Sequence, residues 1–351
     1  MKTPRVMAAW MMGLALTAGA ARAQEPVSFK DKTVTMIIGY AAGGGTDTVG
    51  RLVARFFAKH LPGNPIVVVR NVPGADGTIA LNYMIKQTKP DGLSVTTGSS
   101  TQIDPLNYRK PQVEYDPTKF PFIGGMGQKG TGLLIRADAL PRLADPKAPP
   151  VIMGSVGALP RSGMQITAWG IEMLGWNAKW VVGYPGTNEL MIALERGEVD
   201  MTSVANTART QQLVSTGKYR VFVQPGVTIG GKATPVDEFA DAPVFSDLLQ
   251  GKVTDPLAQK AFDYWRSINS IDKWIGLLPD TPPAIVESYR TALHRAADDP
   301  EFIEVRAKIT EDTTPVAHQD IELLVKTIAA TSTEAMEYVK IILRKQGVQV
   351  Q

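Results

Sequence analysis

The chain has 351 residues, 44% of them hydrophobic and 20% charged, and it contains no cysteine. That excludes a disulfide scaffold, a thiolate metal site and a cysteine nucleophile, and the length accommodates two domains of ordinary size. Lys2, Arg5 and Arg22 lie in an N-terminal segment set apart below, so the rest carries 34 of the 37 basic residues against all 34 acidic ones, a balance that argues against nucleic acid as the main partner.

Lys2 and Arg5 precede an apolar run from Val6 to Leu16, small residues continue to Ala21-Arg22-Ala23, and the chain turns polar at Gln24-Glu25-Pro26. This pattern reads as a secretory signal peptide over residues 1–23 with an A-x-A cleavage site. The run is much shorter than the roughly 20 apolar residues a spanning helix needs. No cysteine follows it, so a lipid-anchored lipoprotein is excluded. The expected product is a soluble periplasmic protein, in a compartment without an ATP pool to feed a kinase.

Beyond that segment, short apolar runs alternate with amphipathic ones. Val34 to Ile38 reads as a buried strand, and Val49, Leu52, Val53, Phe56 and Phe57 recur at helical spacing. Ile66 to Val69 is a second strand, Ile79 to Ile85 a helix, and Leu93 to Thr97 a third strand after the turn Lys89-Pro90-Asp91-Gly92. The alternation implies parallel strands joined by crossover helices. It resumes with strands at Gly132 to Ile135, Val151 to Met153, Lys179 to Val182, Val199 to Ser203 and Tyr219 to Val223, and with helices through Met164 to Leu174 and Leu190 to Glu195.

The last third offers one strand, Trp274 to Leu278, among helices at Pro256 to Ile268, Pro283 to Ala297, Pro300 to Ile309 and Ile321 to Lys345. One strand makes no third domain, so it is expected to complete the first sheet. The predicted fold is α/β with two lobes, each a mainly parallel sheet flanked by helices. The first lobe takes residues 24–125, the second 126–230, and 231–351 returns to the first. Gly124-Gly125-Met126-Gly127 and the loop Gly226 to Asp237 are the candidate crossings, and a ligand is expected in the cleft between the lobes.

The densest chemical signal is Ala41-Ala42-Gly43-Gly44-Gly45-Thr46-Asp47, directly after the first strand and before a helix. Gly43, Gly44 and Gly45 let a ligand approach the backbone, and Thr46 or Asp47 can cap a helix whose free N–H groups favour an anion. The spacing matches neither dinucleotide nor nucleoside-triphosphate loops. A small-anion cradle and a tight turn needing glycine for geometry alone both remain open. Ser99, Ser100 and Thr101 close the third strand at the same carboxyl edge, where ligands of open α/β sheets bind. Ser155, Arg161 and Ser162 lie on the corresponding loop of the second lobe, and Arg161 could pair with a ligand carboxylate or stand in solvent. Tyr184 and Gly186 follow the next strand, and Asn206 the one after.

Catalytic constellations are poor: His60, His294 and His318 are scattered, and no G-x-S-x-G elbow exists around Ser155. No catalytic residue, metal or cofactor is expected.

Several motifs occur together in register: Ala41 to Asp47, Arg70-Asn71-Val72-Pro73-Gly74-Ala75-Asp76-Gly77, Pro90-Asp91-Gly92-Leu93, Tyr115-Asp116-Pro117, Gly183-Tyr184-Pro185-Gly186, Arg196-Gly197-Glu198-Val199-Asp200, and Gly276-Leu277-Leu278-Pro279 with Thr281-Pro282. Their order resembles that of the Bug-type receptors, the extracytoplasmic solute-binding proteins of tripartite tricarboxylate transporters. The resemblance implies a two-lobed periplasmic-binding-protein (flytrap) fold that closes on a di- or tricarboxylate or an aromatic acid and hands it to a membrane permease. It places ligand contacts at Gly43 to Asp47, Gly98 to Thr101, Ser155 to Ser162, the Tyr184 loop and the loop around Asn206.

The chain departs from the family pattern at Val72, at Asp76 and at Ala158-Leu159-Pro160-Arg161, the last suggesting a longer, partly apolar acid. A monomeric carboxylate receptor is therefore expected, with a ligand sensor that signals without transport, or a secreted serine hydrolase using Ser155 or Ser162, as rivals.

Overall fold

A computed structural model describes residues 26–128, 131–156, 160, 162–184, 187–205, 208–229, 232–236, 239–268, 270–309 and 313–350. The expected signal peptide lies outside these residues. Among the described residues no helix is long and apolar enough to cross a membrane.

The strands are β1 (Thr33–Ile38), β2 (Ile66–Asn71), β3 (Ser94–Ser99), β4 (Phe122–Gln128), β5 (Thr131–Arg136), β6 (Val151–Val156), β7 (Ala178–Tyr184), β8 (Met201–Ala205), β9 (Tyr219–Val223), β10 (Val227–Ile229), β11 (Lys232–Thr234), β12 (Lys273–Leu277) and β13 (Thr313–Ala317). The helices are α1 (Gly45–His60), α2 (Thr78–Gln87), α3 (Ser100–Ile103), α4 (Pro105–Tyr108), α5 (Gln165–Leu174), α6 (Thr187–Arg196), α7 (Ala208–Ser215), α8 (Phe245–Leu248), α9 (Pro256–Ile268), α10 (Pro283–Ala297), α11 (Pro300–Ile309), α12 (His318–Ala329) and α13 (Thr333–Lys345).

Two sheets organise the chain. The first runs β13-β4-β12-β3-β1-β2 and the second β7-β6-β8-β5-β9, with β10 and β11 forming a separate hairpin. The return of β12 to the first sheet matches the expectation, and a second late strand, β13, which the sequence reading lacked, joins it at the edge. Pairing is parallel only within β3-β1-β2 and β7-β6-β8. β12 is antiparallel to both β3 and β4, β13 to β4, and β5 to both β8 and β9. Three of the five pairings in the first sheet and two of the four in the second are thus antiparallel, because β12 and β13 run against the other strands of the first sheet and β5 against those of the second.

The glycine-rich stretch expected as a crossing is itself strand β4, and the passage to the second sheet falls in the two residues between Gln128 and Thr131. The long C-terminal helix divides in two at Ser332, whose side chain accepts the Ala335 N–H at 3.2 Å.

The α1 face of the first sheet is closed by Val49, Val53, Phe56 and Phe57 against Val34, Met36, Ile38, Val95, Ile275 and Leu277. Tyr289 of α10 meets Phe57 edge-on at 5.1 Å and donates its hydroxyl to the Gly92 carbonyl at 2.6 Å. The opposite face joins a core that continues into the second sheet through α9 and α13. There Trp169 of α5 meets Phe262 of α9 at 5.1 Å and stacks on Tyr338 of α13 at 6.1 Å. Gln346, just past α13, accepts from the Trp180 indole and donates to the Ala168 carbonyl, so the C-terminal end of the chain is fastened to the layer around the second sheet.

Candidate functional site

Strand directions bring the candidate loops to one place. Gln128 ends β4 at the same edge where Ser99 ends β3, since both strands run antiparallel to β12 between them. Thr131 begins β5 opposite Ala205, the last residue of β8. Two residues join Gln128 to Thr131, a span of at most about 11 Å. The carboxyl edges of the parallel halves of both sheets therefore meet at this crossing, and each carries loops that open helices.

On the first sheet, the chain leaves β1 through an exposed loop, Ala41 to Gly45, and enters α1. Gly43 has φ +82°, which favours glycine. Gly44 and Gly45 are different. Gly44 has φ −78°, its Cβ would meet only the Ala41 carbonyl at an ordinary 3.5 Å, and a Cβ on Gly45 would meet nothing within 4 Å. The fold itself does not require glycine at either position, so what their bareness leaves open is backbone, facing solvent. Gly44 is the N-cap and no side chain caps the helix, contrary to the expectation for Thr46 or Asp47. The N–H groups of Gly45, Thr46 and Asp47 consequently open a 16-residue helix without intrahelical partners.

Asp47, in the first turn, is buried. Its carboxylate accepts the Gly43 N–H, the Arg51 Nε and the Asn71 side-chain amide, each at 2.8 Å. Burial alone would raise its pKa; the bonds from Arg51, Gly43 and Asn71 outweigh this and hold it below the usual carboxylate value. Asp47 thus pins the glycine loop, a role read from the three donors and not from its place beside the glycines.

Next to this loop, the Tyr40 hydroxyl donates to the Asp76 carbonyl at 2.9 Å and lies 2.5 Å from Ser99 Oγ. Ser99 caps α3: its N–H donates to Gln102 Oε1 at 2.8 Å, completing a capping box. Its carbonyl accepts the Trp274 indole N–H at 2.8 Å. Gly98 allows this, since a Cβ there would lie 2.2 Å from Trp274 Cζ2. Thr101 is buried, whereas Ser100 is half-buried and donates its N–H to the Asp272 carbonyl at 3.2 Å. Of the three hydroxyl residues expected here, Ser100 alone is not buried.

On the second sheet, Ser155 is fully buried near the end of β6, and its hydroxyl donates to the Val156 carbonyl at 3.3 Å. Ser162 opens a short 3₁₀ turn through Met164, and a Cβ on the next residue, Gly163, would lie 2.5 Å from Ser203 Oγ and 3.9 Å from Thr131 Cβ, which draws that turn against the strand ends. Tyr184 ends β7, half-buried, with its phenol pKa raised by burial and by the Glu198 carboxylate. Arg161, Gly186 and Asn206 lie outside the described residues. Tyr40 and Thr131 were not singled out from sequence, although Tyr40 directly precedes the glycine loop.

The histidines serve elsewhere: His60 pairs with Asp299 at 2.8 Å and His294 lies 3.3 Å from Asp298. Among the described residues no group of three His, Asp or Glu is arranged to hold a metal ion.

Residues 49–228 match the model of the tripartite tricarboxylate transporter family receptor, TctC. The chain belongs to that family. A UPF0065 protein encoded in the gbd 5′ region of Cupriavidus necator is 30% identical over 314 residues, covering 86% of this chain and 85% of that relative. A Bordetella pertussis UPF0065 protein is 24% identical over 84% of each chain.

Among solved structures, a TctC solute-binding protein from Polaromonas is similar with a TM-score of 0.62, at 20% identity over 89% of this chain and 98% of its own. A Rhodopseudomonas palustris protein with adipate has a TM-score of 0.60, at 20% identity over 90% of this chain and 97% of its own. The R. palustris protein MatC with bound malate has a TM-score of 0.54, at 19% identity over 88% of this chain and 98% of its own. The two-lobed fold of periplasmic binding proteins is shared across this set.

Proposed function

We propose that this receptor works in the periplasm, captures a small organic carboxylate between the carboxyl edges of its two sheets, and delivers it to a membrane permease of the tripartite tricarboxylate type. The observation that carries the reading is the entry to α1. Exposed glycines at Gly44 and Gly45 that the local backbone does not need, N–H groups without intrahelical partners at the start of a long helix, and a buried carboxylate locking the loop together make a preorganised oxyanion cradle. Relatives of the same fold holding adipate and malate support a carboxylate as the occupant.

The second edge, with Thr131, Ser162 and Tyr184, supplies the opposing wall, and Ser155, Arg161, Gly186 and Asn206 remain its candidate ligand contacts from sequence. On this reading lobe 1 consists of residues 24–125 and 231–351, lobe 2 of 126–230, and the protein acts as a monomer without catalysing a reaction. A serine hydrolase is disfavoured by Ser155, whose buried hydroxyl engages a backbone carbonyl, and by the placement of His60 and His294 on α1 and α10, helices packed on the first sheet, whereas Ser155 stands in the second. A sensing role would differ only in the partner.

The test is a thermal-shift screen of residues 24–351 against small mono-, di- and tricarboxylates. At a concentration 100 times Kd a ligand adds about 2.7 kcal/mol of stability. At least one acid should raise the melting temperature by several degrees; a panel with no response would refute the reading.

A further inference from the structure

The N-terminal end of β12 carries an ion pair that the cradle does not use. We infer that Lys273 is a charge-reading residue of the same site, screened by Asp272 until a ligand with more than one carboxylate takes its place; this rests on the carboxylate-receptor reading above.

Lys273 is 8% exposed, and a lysine is rarely so buried without a partner. Its ammonium pairs with Asp272, its neighbour in sequence. A contact between adjacent residues closes no loop and ties no two elements together, so it contributes little to the fold, while taking the charges out of water has a cost.

Placement explains the arrangement better. In the antiparallel ladders Lys273 stands opposite Ser99 on one side and Met126 on the other. Paired residues share a face of the sheet, and this face, with Met126 and Ile275, is the one α1 covers. Ser99 is the last residue of β3, so Lys273 lies at the edge that carries the glycine loop. Asp272 precedes the strand, and its backbone carbonyl accepts the Ser100 N–H at the start of α3, which puts this residue at the rim. The ammonium, meeting Asp272, is therefore turned toward the rim and not back along the sheet. β12 is two strand positions from β1, about 9.6 Å, so Lys273 and the start of α1 lie at the same edge and on the same face of the sheet. Met126 also places Lys273 beside the strand that crosses to the second sheet.

In this arrangement one carboxylate of the ligand rests on the backbone N–H groups of α1 and a second displaces Asp272 from the Lys273 ammonium. Asp272 competes with the ligand, so monoanions that cannot displace it gain nothing from Lys273.

The experiment is calorimetric titration of the mature protein with α,ω-dicarboxylates from malonate to adipate and with the monocarboxylates of matching chain length, in the native chain and in Lys273→Met, Lys273→Arg and Asp272→Asn. Lys273→Met should weaken the best dicarboxylate about tenfold or more and its monocarboxylate match less than about threefold. Lys273→Arg should restore most of the loss, and Asp272→Asn should tighten the dicarboxylate. If no dicarboxylate binds the native protein the inference is overturned, and the receptor reading falls as well only where the wider screen of mono-, di- and tricarboxylates gives no response. If one binds and Lys273→Met weakens both acids equally, the receptor reading stands and the inference is overturned. Should Lys273→Met not fold, Asp272→Asn decides: tighter dicarboxylate binding supports the inference, and unchanged or weaker binding overturns it.

Discussion

Replacing Asp47 by Asn tests whether the glycine loop is held in shape by a buried charge. In the native protein one carboxylate oxygen accepts from both Gly43 N–H and Arg51 Nε, and the other from the Asn71 amide. Asparagine keeps the volume but offers one acceptor oxygen; its NH₂ group must face a donor in either orientation, so at least one bond is lost and the rest lose charge assistance. Bonds to a charged group are worth about 1.5–3 kcal/mol and neutral ones about 0.5–1.5 kcal/mol, a difference of roughly 3 kcal/mol over three bonds. Two effects reduce this. Arg51 is half exposed and regains water, and a neutral amide costs less to bury. A net loss of about 2 kcal/mol is expected.

The pH dependence follows from the depressed folded-state pKa of Asp47. A carboxyl whose pKa is lower folded than unfolded contributes stability that is fully present above the unfolded value, about 3.9, and that is lost as pH falls through the folded value. The gap between native and Asp47→Asn proteins should therefore be full at pH 6 and shrink below about pH 4. Urea denaturation of both proteins from pH 3 to 7 measures it. Equal stability at pH 6, or a gap that does not narrow in acid, would refute the assignment of Asp47 as the pin of the loop.

Gly44→Val should cost less than about 1 kcal/mol of stability, because its φ is ordinary and its Cβ meets little, yet weaken carboxylate binding at least about tenfold by covering the N–H groups; unchanged calorimetric affinity would show that the loop is only a turn. Gly98→Ala should destabilise by about 1–3 kcal/mol, since its Cβ would lie 2.2 Å from Trp274, and a denaturation midpoint equal to that of the native protein would contradict that packing. A ligand touching both sheet edges favours a closed form, so small-angle scattering should give a smaller radius of gyration with saturating carboxylate than without, and superimposable curves would count against a site between the lobes.

Much of this architecture was legible in the sequence where local chemistry is strong. Pro256, Pro283 and Pro300 begin their helices where read, and the strand, glycines and helix of the first lobe lie in the expected order. β4 was missed because four of its seven residues are Gly or Gln; neighbours on both sides, β12 and β13, hold it as a strand. β13 carries a proline that its place at the sheet edge tolerates. Lys273 could not be placed from sequence, because only the antiparallel direction of β12 brings its first residue to the carboxyl edge of β3. Asp47 shows what a candidate loop alone does not reveal: its side chain turns inward as the pin of the loop, a choice completed by a partner distant in sequence, Asn71.

The most direct test of the account is calorimetric titration of the mature protein with the acid that gives the largest thermal shift, alongside the same molecule with its carboxylates converted to amides. A cradle of backbone N–H groups at a helix start favours an anion over a neutral group of equal shape. Saturable one-to-one binding of the acid, with the amide weaker by at least about a hundredfold, is the predicted result. Equal affinity for acid and amide, or no saturable binding of any acid, would contradict it.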